Sequence, residues 1–262
     1  MTLIVYEHPL SPFAQKVKIA LDEKGIAYET RMPVGIGSGQ PDTLFLNSNP
    51  RGEVPSLIDG EVSIFDSTII LEYIEDKWPA PPLLPETPYE RAIARTIEEV
   101  MDTSFEPINW GLGEIKWFKR ASGERARTLE ARAHAQARGL YDWLSRHLGE
   151  REWFGGERFG WADLSVVPYL NGARGNGIGP DENSPLGQWL KRANARPSVQ
   201  KSAKAAAAVA ASMVDVNKAV ESGLFKREYR DHRLEWMIRS GGIDVVLEGI
   251  EKGNIRFSNE MG

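Results

Sequence analysis

The chain has 262 residues, of which 41% are hydrophobic and 26% charged, and it carries a formal net charge of −5 at pH 7. This length suits two small domains, and the composition is that of a globular protein. The negative charge argues against nucleic acid or an anionic membrane as a partner. No apolar run approaches the roughly 20 residues that span a bilayer, and the first residues lack the basic and apolar regions of a signal peptide. We therefore expect a cytoplasmic protein.

Cysteine is absent from the chain. Its absence excludes disulfides, thiolate-bound metals and a cysteine nucleophile. The histidines are scattered without the spacing of metal ligands: His8, His134, His147 and His232. We therefore predict no metal site.

Residues 1–78 predict a small α/β domain. Residues 3–7 favour a strand, and Ser11 is a candidate N-cap for a helix with Pro12 at its first position, where the missing N–H costs nothing. Residues 27–34 predict a second strand, and the helical crossover implies that it runs parallel to the first.

The second half of this domain follows a loop-like segment, 35–53. Residues 55–58 and 61–65 predict a β-hairpin around an Asp-Gly turn, and Asp66 with Ser67 begins the next helix. The order β-α-β, irregular segment, β-β-α is that of the thioredoxin-like fold.

The rest of the chain predicts an all-helical bundle. The proline-rich segment 79–87 is the expected linker, and residues 88–213 show helical periodicity without a convincing strand. The helices are expected near residues 88–120, 123–148, 161–173, 184–195 and 198–213. Residues 214–262 form a C-terminal extension in which further helices are expected near 224–239 and 243–252.

Ser11 and the Val54-Pro55 peptide are the chemically most informative pair. A hydroxyl at the start of a helix, close to a Val-Pro bond that we expect to be cis, is a place to hold and ionise a thiol. Hydrogen bonding and the positive end of a helix both favour the thiolate. Since the chain has no cysteine, the thiol must come from a bound small molecule.

In these features the sequence resembles the glutathione S-transferases. The similarity is carried by five segments: Ser-Pro-Phe-Ala-Gln-Lys-Val at 11–17, Asn-Pro-Arg-Gly-Glu-Val-Pro at 49–55, Phe-Asp-Ser at 65–67, Phe-Gly-Trp-Ala-Asp at 159–163 and Ala-Arg-Pro at 195–197. Each segment alone is a modest signal, but their order and spacing together are specific. The similarity covers about residues 1–205.

The resemblance implies roles for the residues that match the family's motifs. Ser11 matches the activating serine of the serine-type classes. Val54 matches the residue whose backbone pairs with the cysteinyl part of glutathione, and Pro55 matches the cis-proline. Asp66 and Ser67 match the pair that holds the γ-glutamyl end. Glutathione is then a co-substrate, and the resemblance further implies a homodimer.

Glu53 departs from the family's pattern, since many members have Gln or Lys beside Val-Pro. A carboxylate at this position repels the glycine carboxylate of glutathione. Glu53 therefore either points away or leaves that end of the ligand to Arg51 or other cations. Phe13 completes the set of candidate glutathione-binding positions.

The family's first long helix of the second domain faces the cleft. This implies a pocket for a small hydrophobic electrophile, and the candidate lining residues are Met101, Phe105, Trp110 and Trp117. Asp102 falls where a partner subunit reaches glutathione. Two residues near Ser11 are given plainer roles: Tyr6 lies inside the first strand and is expected in the core, and His8 is expected on the surface.

Three functions are compatible with the sequence. The first is a transferase that conjugates glutathione to a hydrophobic electrophile, such as an apolar xenobiotic. The second is a dedicated glutathione-dependent lyase or dehalogenase, and the third is a non-catalytic glutathione-binding or interaction protein of the same fold. The lack of cysteine argues against the thioltransferase and dehydroascorbate-reductase members, which have a cysteine at the position of Ser11.

Overall fold

The computed structural model describes residues 2–38, 43–213, 215–228 and 231–256. The N-terminal part consists of β1 (Leu3–Tyr6), α1 (Pro12–Glu23), β2 (Tyr28–Arg31), α2 (Thr43–Ser48), β3 (Ser56–Asp59), β4 (Val62–Phe65) and α3 (Ser67–Lys77). The helical part consists of α4 (Pro88–Val100), a π-helical turn (Met101–Phe105), α5 (Glu106–Lys116), α6 (Gly123–Leu148), α7 (Trp161–Gly175), α8 (Pro185–Asn194) and α9 (Pro197–Ser212). The extension consists of α10 (Val216–Glu221), β5 (Arg227–Glu228), α11 (Asp231–Arg239), α12 (Ile243–Glu251) and β6 (Ile255–Arg256).

The N-terminal strands form one mixed sheet in the order β2-β1-β3-β4. β1 pairs with β2 in parallel, and β3 is antiparallel to both β1 and β4. A parallel pair requires a crossover, which α1 supplies, whereas the tight turn at Gly60 (φ +65°) closes the hairpin. The predicted fold class, a thioredoxin-like domain followed by a helical domain, is confirmed.

Two predicted segments of this domain differ from the structure. The second strand is shorter than expected, spanning only Tyr28–Arg31. The segment 35–53 is not all loop, because Thr43–Ser48 forms α2. Phe45 explains this helix. Its ring is fully buried and packs against Tyr6, with the ring centres 5.2 Å apart, so the short helix packs on the domain. Helical periodicity does not reveal so short an element.

The linker is fixed to the N-terminal domain by a buried ion pair. Lys24 Nζ lies 2.7 Å from a carboxylate oxygen of Glu75 and donates to the carbonyl of Pro81 at 2.8 Å. The Glu75 carboxylate also accepts from the backbone N–H groups of Leu83 and Leu84, each at 3.0 Å. Both leucines are buried, so the linker is part of the packed interior and leads directly into α4.

The helical domain is organised around α7, which is buried along most of its length. Its start has a capping-box contact, because the Asp163 carboxylate accepts from the Gly160 N–H at 3.0 Å. Asp163 also accepts from the Phe154 N–H and from the indole N–H of Trp189. Three donors on one fully buried carboxylate join the start of α7 to α8 and to the preceding loop.

The C-terminal extension packs on α5 and α6. Trp236 lies against Gly111 and donates to the Gln136 side chain, so α11 is held across both helices. Strands β5 and β6 pair in parallel, whereas only helices were expected after the linker. Of the helix predicted at 224–239, the structure describes Asp231–Arg239 as α11, whereas Arg227–Glu228 forms β5. Residues 214, 229–230 and 257–262 of the extension lie outside the described part.

Candidate functional site

Three backbone segments reach the same edge of the sheet. Tyr6 at the end of β1 pairs with Ser56 at the start of β3, and Ser56 pairs with Phe65 at the end of β4. These residues form one row across the sheet, so the chain leaves β1, enters β3 and leaves β4 at one edge. The segments at that edge carry these predicted site residues: Ser11, Val54, Pro55, Asp66 and Ser67.

Ser11 is the N-cap of α1. Its backbone is extended, and its Oγ accepts from the Ala14 N–H at 3.3 Å. A hydroxyl has one donor and two acceptor positions. In the described part of the chain, the O–H of Ser11 has no hydrogen-bond acceptor. The cap therefore leaves the proton of this hydroxyl available to a ligand, beside the positive end of the helix.

The Val54-Pro55 peptide is cis, as expected. The loop before it is held by Asn49, whose side chain donates to the Glu53 carbonyl at 2.6 Å and accepts from the Arg51 N–H at 3.0 Å. Gly52 takes a left-handed conformation (φ +67°) that the turn requires. These contacts fix the backbone that leads to Val54.

Asp66 begins α3 in an unusual conformation, with φ +75° and ψ +126°. Its carboxylate accepts from the backbone N–H groups of Thr68 and Ile69 at 3.0 and 3.4 Å. A positive φ costs free energy in a residue other than glycine, and such strain is frequent where a ligand is held. Ser67 is buried at the first turn of α3, whose N–H groups suit a carboxylate.

Arg51 and Asp66 line an open groove next to this edge. The Arg51 guanidinium lies 5.4 Å from the centre of the Phe65 ring, a distance that allows a cation–π contact. Glu53 is half-buried. A cation and a carboxylate, those of Arg51 and Asp66, therefore both line this groove.

Two residues near Ser11 are placed in the interior. Tyr6 is buried, which confirms its expected core position. His8 was expected on the surface but is partly buried, with Nδ1 accepting from the Leu10 N–H at 3.3 Å. Burial lowers the pKa of His8 below its ordinary value, although Glu7 opposes the shift. The imidazole is therefore neutral at pH 7.

A buried ionic cluster that the sequence did not predict includes a residue of α1, the helix that Ser11 caps. Lys16 on α1 is fully buried, and its Nζ lies 2.5 Å from carboxylate oxygens of both Glu98 and Asp102. Thr68 at the start of α3 donates to Glu98 at 2.9 Å, and Tyr169 on α7 donates to Asp102 at 2.6 Å. The cluster joins the two helices that begin at the site to the helical domain.

The charges of this cluster depend on one another. Burial disfavours the ammonium, but Asp102 and Glu98 more than offset that effect and raise the pKa of Lys16 above its ordinary value. Burial, opposed by Lys16 and reinforced by Glu98, raises the pKa of Asp102. Charged residues are rarely buried unless they are paired. The sequence alone does not show the partners of Lys16, so nothing in it distinguished this residue from an exposed lysine.

Three of the residues expected at the acceptor pocket or the subunit contact have other environments. Met101 and Phe105 are wholly buried in the core, where Phe105 packs against Tyr141 and Tyr169, so they do not line an open pocket. The π-helical turn that carries them rotates this stretch relative to a continuous α-helix. Asp102 is engaged within its own chain, by Lys16 and Tyr169.

The two tryptophans of α5 and its C-terminus are half-buried. Trp110 is covered by the extension, with the Arg227 guanidinium 4.7 Å and the Arg233 guanidinium 5.4 Å from its ring centre. Trp117 contacts Lys116. Phe13 meets Tyr169 edge to face, 6.2 Å between ring centres, at the boundary of the two domains.

Two negative findings concern the described residues alone. Within them, no three His, Asp or Glu side chains come together as a possible metal site. None of their helices is long and apolar enough to cross a membrane.

Comparison with known proteins identifies the family. Residues 5–82 match the model of the glutathione S-transferase N-terminal domain, and residues 124–192 match that of the C-terminal domain. Glutathione S-transferase U1 of Arabidopsis thaliana is 30% identical over 190 residues, which is 69% of this chain and 79% of the relative. Probable glutathione S-transferase GSTU1 of Oryza sativa subsp. japonica is 31% identical over 76% of this chain and 88% of its own length. The solved structure of rice GST1 in complex with glutathione is 29% identical, covers 81% of this chain and 96% of its own, and superposes with a TM-score of 0.65. The chain therefore belongs to the glutathione S-transferase family.

Proposed function

We propose that this protein is a glutathione transferase that binds glutathione at the sheet edge and keeps its sulfur as a thiolate for attack on a hydrophobic electrophile. The observation that carries the proposal is the meeting of Ser11, the cis Val54-Pro55 peptide and the Asp66-Ser67 helix start at one edge of the sheet. Each alone is an ordinary structural feature. Together they provide a donor for sulfur, a backbone edge for a peptide and a cap for an amino-acid end.

Ser11 acts by stabilising charge. A free thiol has a pKa of about 8.5, so it is mostly protonated at neutral pH. Donation from the Ser11 hydroxyl and the positive end of α1 lower the thiol pKa by about one to three pH units. Each unit corresponds to about 1.4 kcal/mol of stabilisation of the thiolate relative to the thiol. The hydroxyl needs no base partner, because it donates to the anion and does not lose its proton.

The remaining site residues hold the rest of the tripeptide. The backbone of Val54 pairs with the cysteinyl unit, as an added strand pairs with a sheet edge. The Asp66 carboxylate pairs with the α-ammonium, and Ser67 with the N-terminus of α3 receives the α-carboxylate. Arg51 takes the glycine carboxylate, which compensates for Glu53.

The thiolate then forms a bond to an electrophilic carbon, and the electron pair leaves with a halide or alkoxide or moves onto an activated π bond. The acceptor is a small hydrophobic molecule between the two domains, near Phe13 and Trp117. The active form is a cytoplasmic homodimer with a role in detoxification. A dedicated lyase or dehalogenase remains the second candidate, because the extension packs on α5, the helix whose family counterpart lines the acceptor cleft.

Thiolate formation tests the role of Ser11 directly. Glutathione is added to wild type and to Ser11→Ala, and the ultraviolet absorbance of the bound thiolate is followed across pH. We expect the pKa of bound glutathione to rise by at least about one pH unit in the variant, and conjugation of an aryl halide to fall about tenfold or more at neutral pH.

Ser184→Ala is the matched control. Ser184 also precedes a proline, Pro185, and caps α8 through the Gly187 N–H at 3.0 Å. Its loss removes an equivalent cap without touching the site. Equal thiolate formation in wild type and Ser11→Ala would refute the role of Ser11. Binding and ionisation without turnover of aryl halides, isothiocyanates, hydroperoxides or β-aryl ethers would favour the non-catalytic alternative.

A further inference from the structure

A second cavity lies where the linker meets the helical domain. It has a volume of about 190 Å³ and is bounded by the linker, the first turns of α4, the end of α6 and the loop before α7. None of the proposed glutathione-binding residues lines it. An apolar cavity of about 150 Å³ is known to admit benzene, so this volume accepts a single aromatic ring.

The floor of this cavity is apolar. Leu84, Ile97, Phe154 and Trp161 contribute to it, and all four are at most 4% exposed. Ile93 is half-buried at its side. Such a floor favours the burial of a ring or short hydrocarbon body.

The rim of the cavity is strongly basic. Arg146, Arg151 and Arg158 line it, and none forms a salt bridge with a described residue. The acidic side chain among the described residues that line the cavity is that of Glu90. Its carboxylate already accepts from the Thr87 hydroxyl at 2.8 Å. The chain has a net charge of −5, so the positive charge at the rim is a local excess, opposite in sign to the net charge of the chain.

One of these arginines is held in place by the backbone. Arg151 donates from Nε to the Leu148 carbonyl at 3.1 Å and from Nη2 to the His147 carbonyl. Within the described residues its Nη1 has no hydrogen-bond partner. A guanidinium fixed in this way loses little side-chain entropy when it binds an anion. Arg146 also lies in the last turn of α6, where a cation stabilises the helix end, but this explains neither Arg151 nor Arg158.

We propose that this cavity is a binding site for a single-ring aromatic carboxylate, separate from the glutathione site. The ring lies on the apolar floor, and the carboxylate is held by the guanidinium groups at the rim through charge-assisted hydrogen bonds. The inference does not depend on the transferase activity, since no residue is shared with the proposed glutathione site.

Salicylate, which is fluorescent, is a suitable probe. It is titrated into the full-length protein in the presence of saturating S-hexylglutathione, so that the glutathione site and its neighbouring pocket are filled. We expect saturable binding of one salicylate per chain. We further expect the Arg146→Gln/Arg158→Gln variant to raise the Kd about tenfold or more, and Ile93→Ser to raise it as well.

Arg132→Gln is the matched control, because Arg132 is an exposed arginine of α6 that does not line the cavity. Salicylamide, which has the same ring without the charge, should bind much more weakly. The proposal is overturned if salicylate shows no saturable binding, if the double variant binds it as well as wild type does, or if S-hexylglutathione displaces it. Equal binding of salicylamide would also overturn it.

Discussion

Lys16 has a charge that is wholly enclosed by protein. Its ammonium is compensated by two carboxylates, Glu98 and Asp102, which come from the helical domain. A buried charge is costly unless it is paired and hydrogen-bonded. The position of α1, and with it the Ser11 hydroxyl, is therefore coupled to the helical domain through one side chain.

Lys16→Met should destabilise the protein by about 3–5 kcal/mol, because it leaves two buried carboxylates without their cation. The measurement is denaturant unfolding of wild type and variant at neutral pH. Lys77→Met is the matched control, since Lys77 pairs with Asp59 at the exposed end of α3, and its loss should have a much smaller effect.

The ionic origin of this effect can be checked by a second change. Lys16→Met combined with Asp102→Asn removes one of the two stranded charges and should recover part of the lost stability. The free energy of unfolding of the combined variant is compared with that of Lys16→Met. If it is lower by the full amount that Asp102→Asn costs in the wild-type background, the two residues act independently, contrary to the geometry.

Between elements, α11 packs closely on α5 at Gly111. A Cβ at Gly111 would lie 2.4 Å from a ring atom of Trp236. The indole is itself held by its hydrogen bond to Gln136, so it does not move aside freely. Gly111 therefore determines how closely the extension approaches the helix that faces the domain boundary.

Gly111→Ala should destabilise the protein by about 1–3 kcal/mol, because overpacking forces apart two fixed elements. Limited proteolysis should then release the extension faster than in wild type. Gly139→Ala on α6 is the control, since a Cβ there meets nothing within 4 Å and should be neutral or slightly stabilising. Two results together would contradict the steric explanation. In them, Gly111→Ala behaves as wild type, and Gly111→Ala/Trp236→Ala is no more resistant to the protease than Trp236→Ala.

The order of these elements was predictable, but the contacts between them were not. Turn residues and the helix caps at Ser11 and Asp66 are local signals, and they predicted the sheet, α1 and α3 from the sequence. The buried Met101 and Phe105 lie in a π-helical turn, whereas periodicity assumes a regular helix. Lys16 shows the same limit, since its partners lie more than eighty residues away.

At the scale of the whole molecule, the extension is joined to the helical domain by buried acid–base pairs. Glu106 of α5 is buried, with the Arg233 guanidinium at 2.9 Å and His232 Nε2 at 3.4 Å from its carboxylate. Burial alone would raise the pKa of Glu106, but the charge and hydrogen bonds of Arg233, with His232 close by, outweigh it and lower the pKa to about 2. Acid should therefore weaken the attachment of the extension.

The sign of this effect follows from the shift. Because the folded pKa of Glu106 is below the ordinary value of 4.5, the carboxylate contributes stability above pH 4.5 and loses that contribution as the pH falls toward about 2. The contribution at neutral pH is on the order of 3 kcal/mol. Unfolding by urea, measured at a series of pH values in this window, should show wild type losing stability more steeply than Glu106→Gln, which has no proton to gain. Glu130→Gln, at an exposed position of α6, should keep the wild-type slope. Parallel curves for wild type and Glu106→Gln would mean that the Glu106–Arg233 pair does not hold the extension against acid.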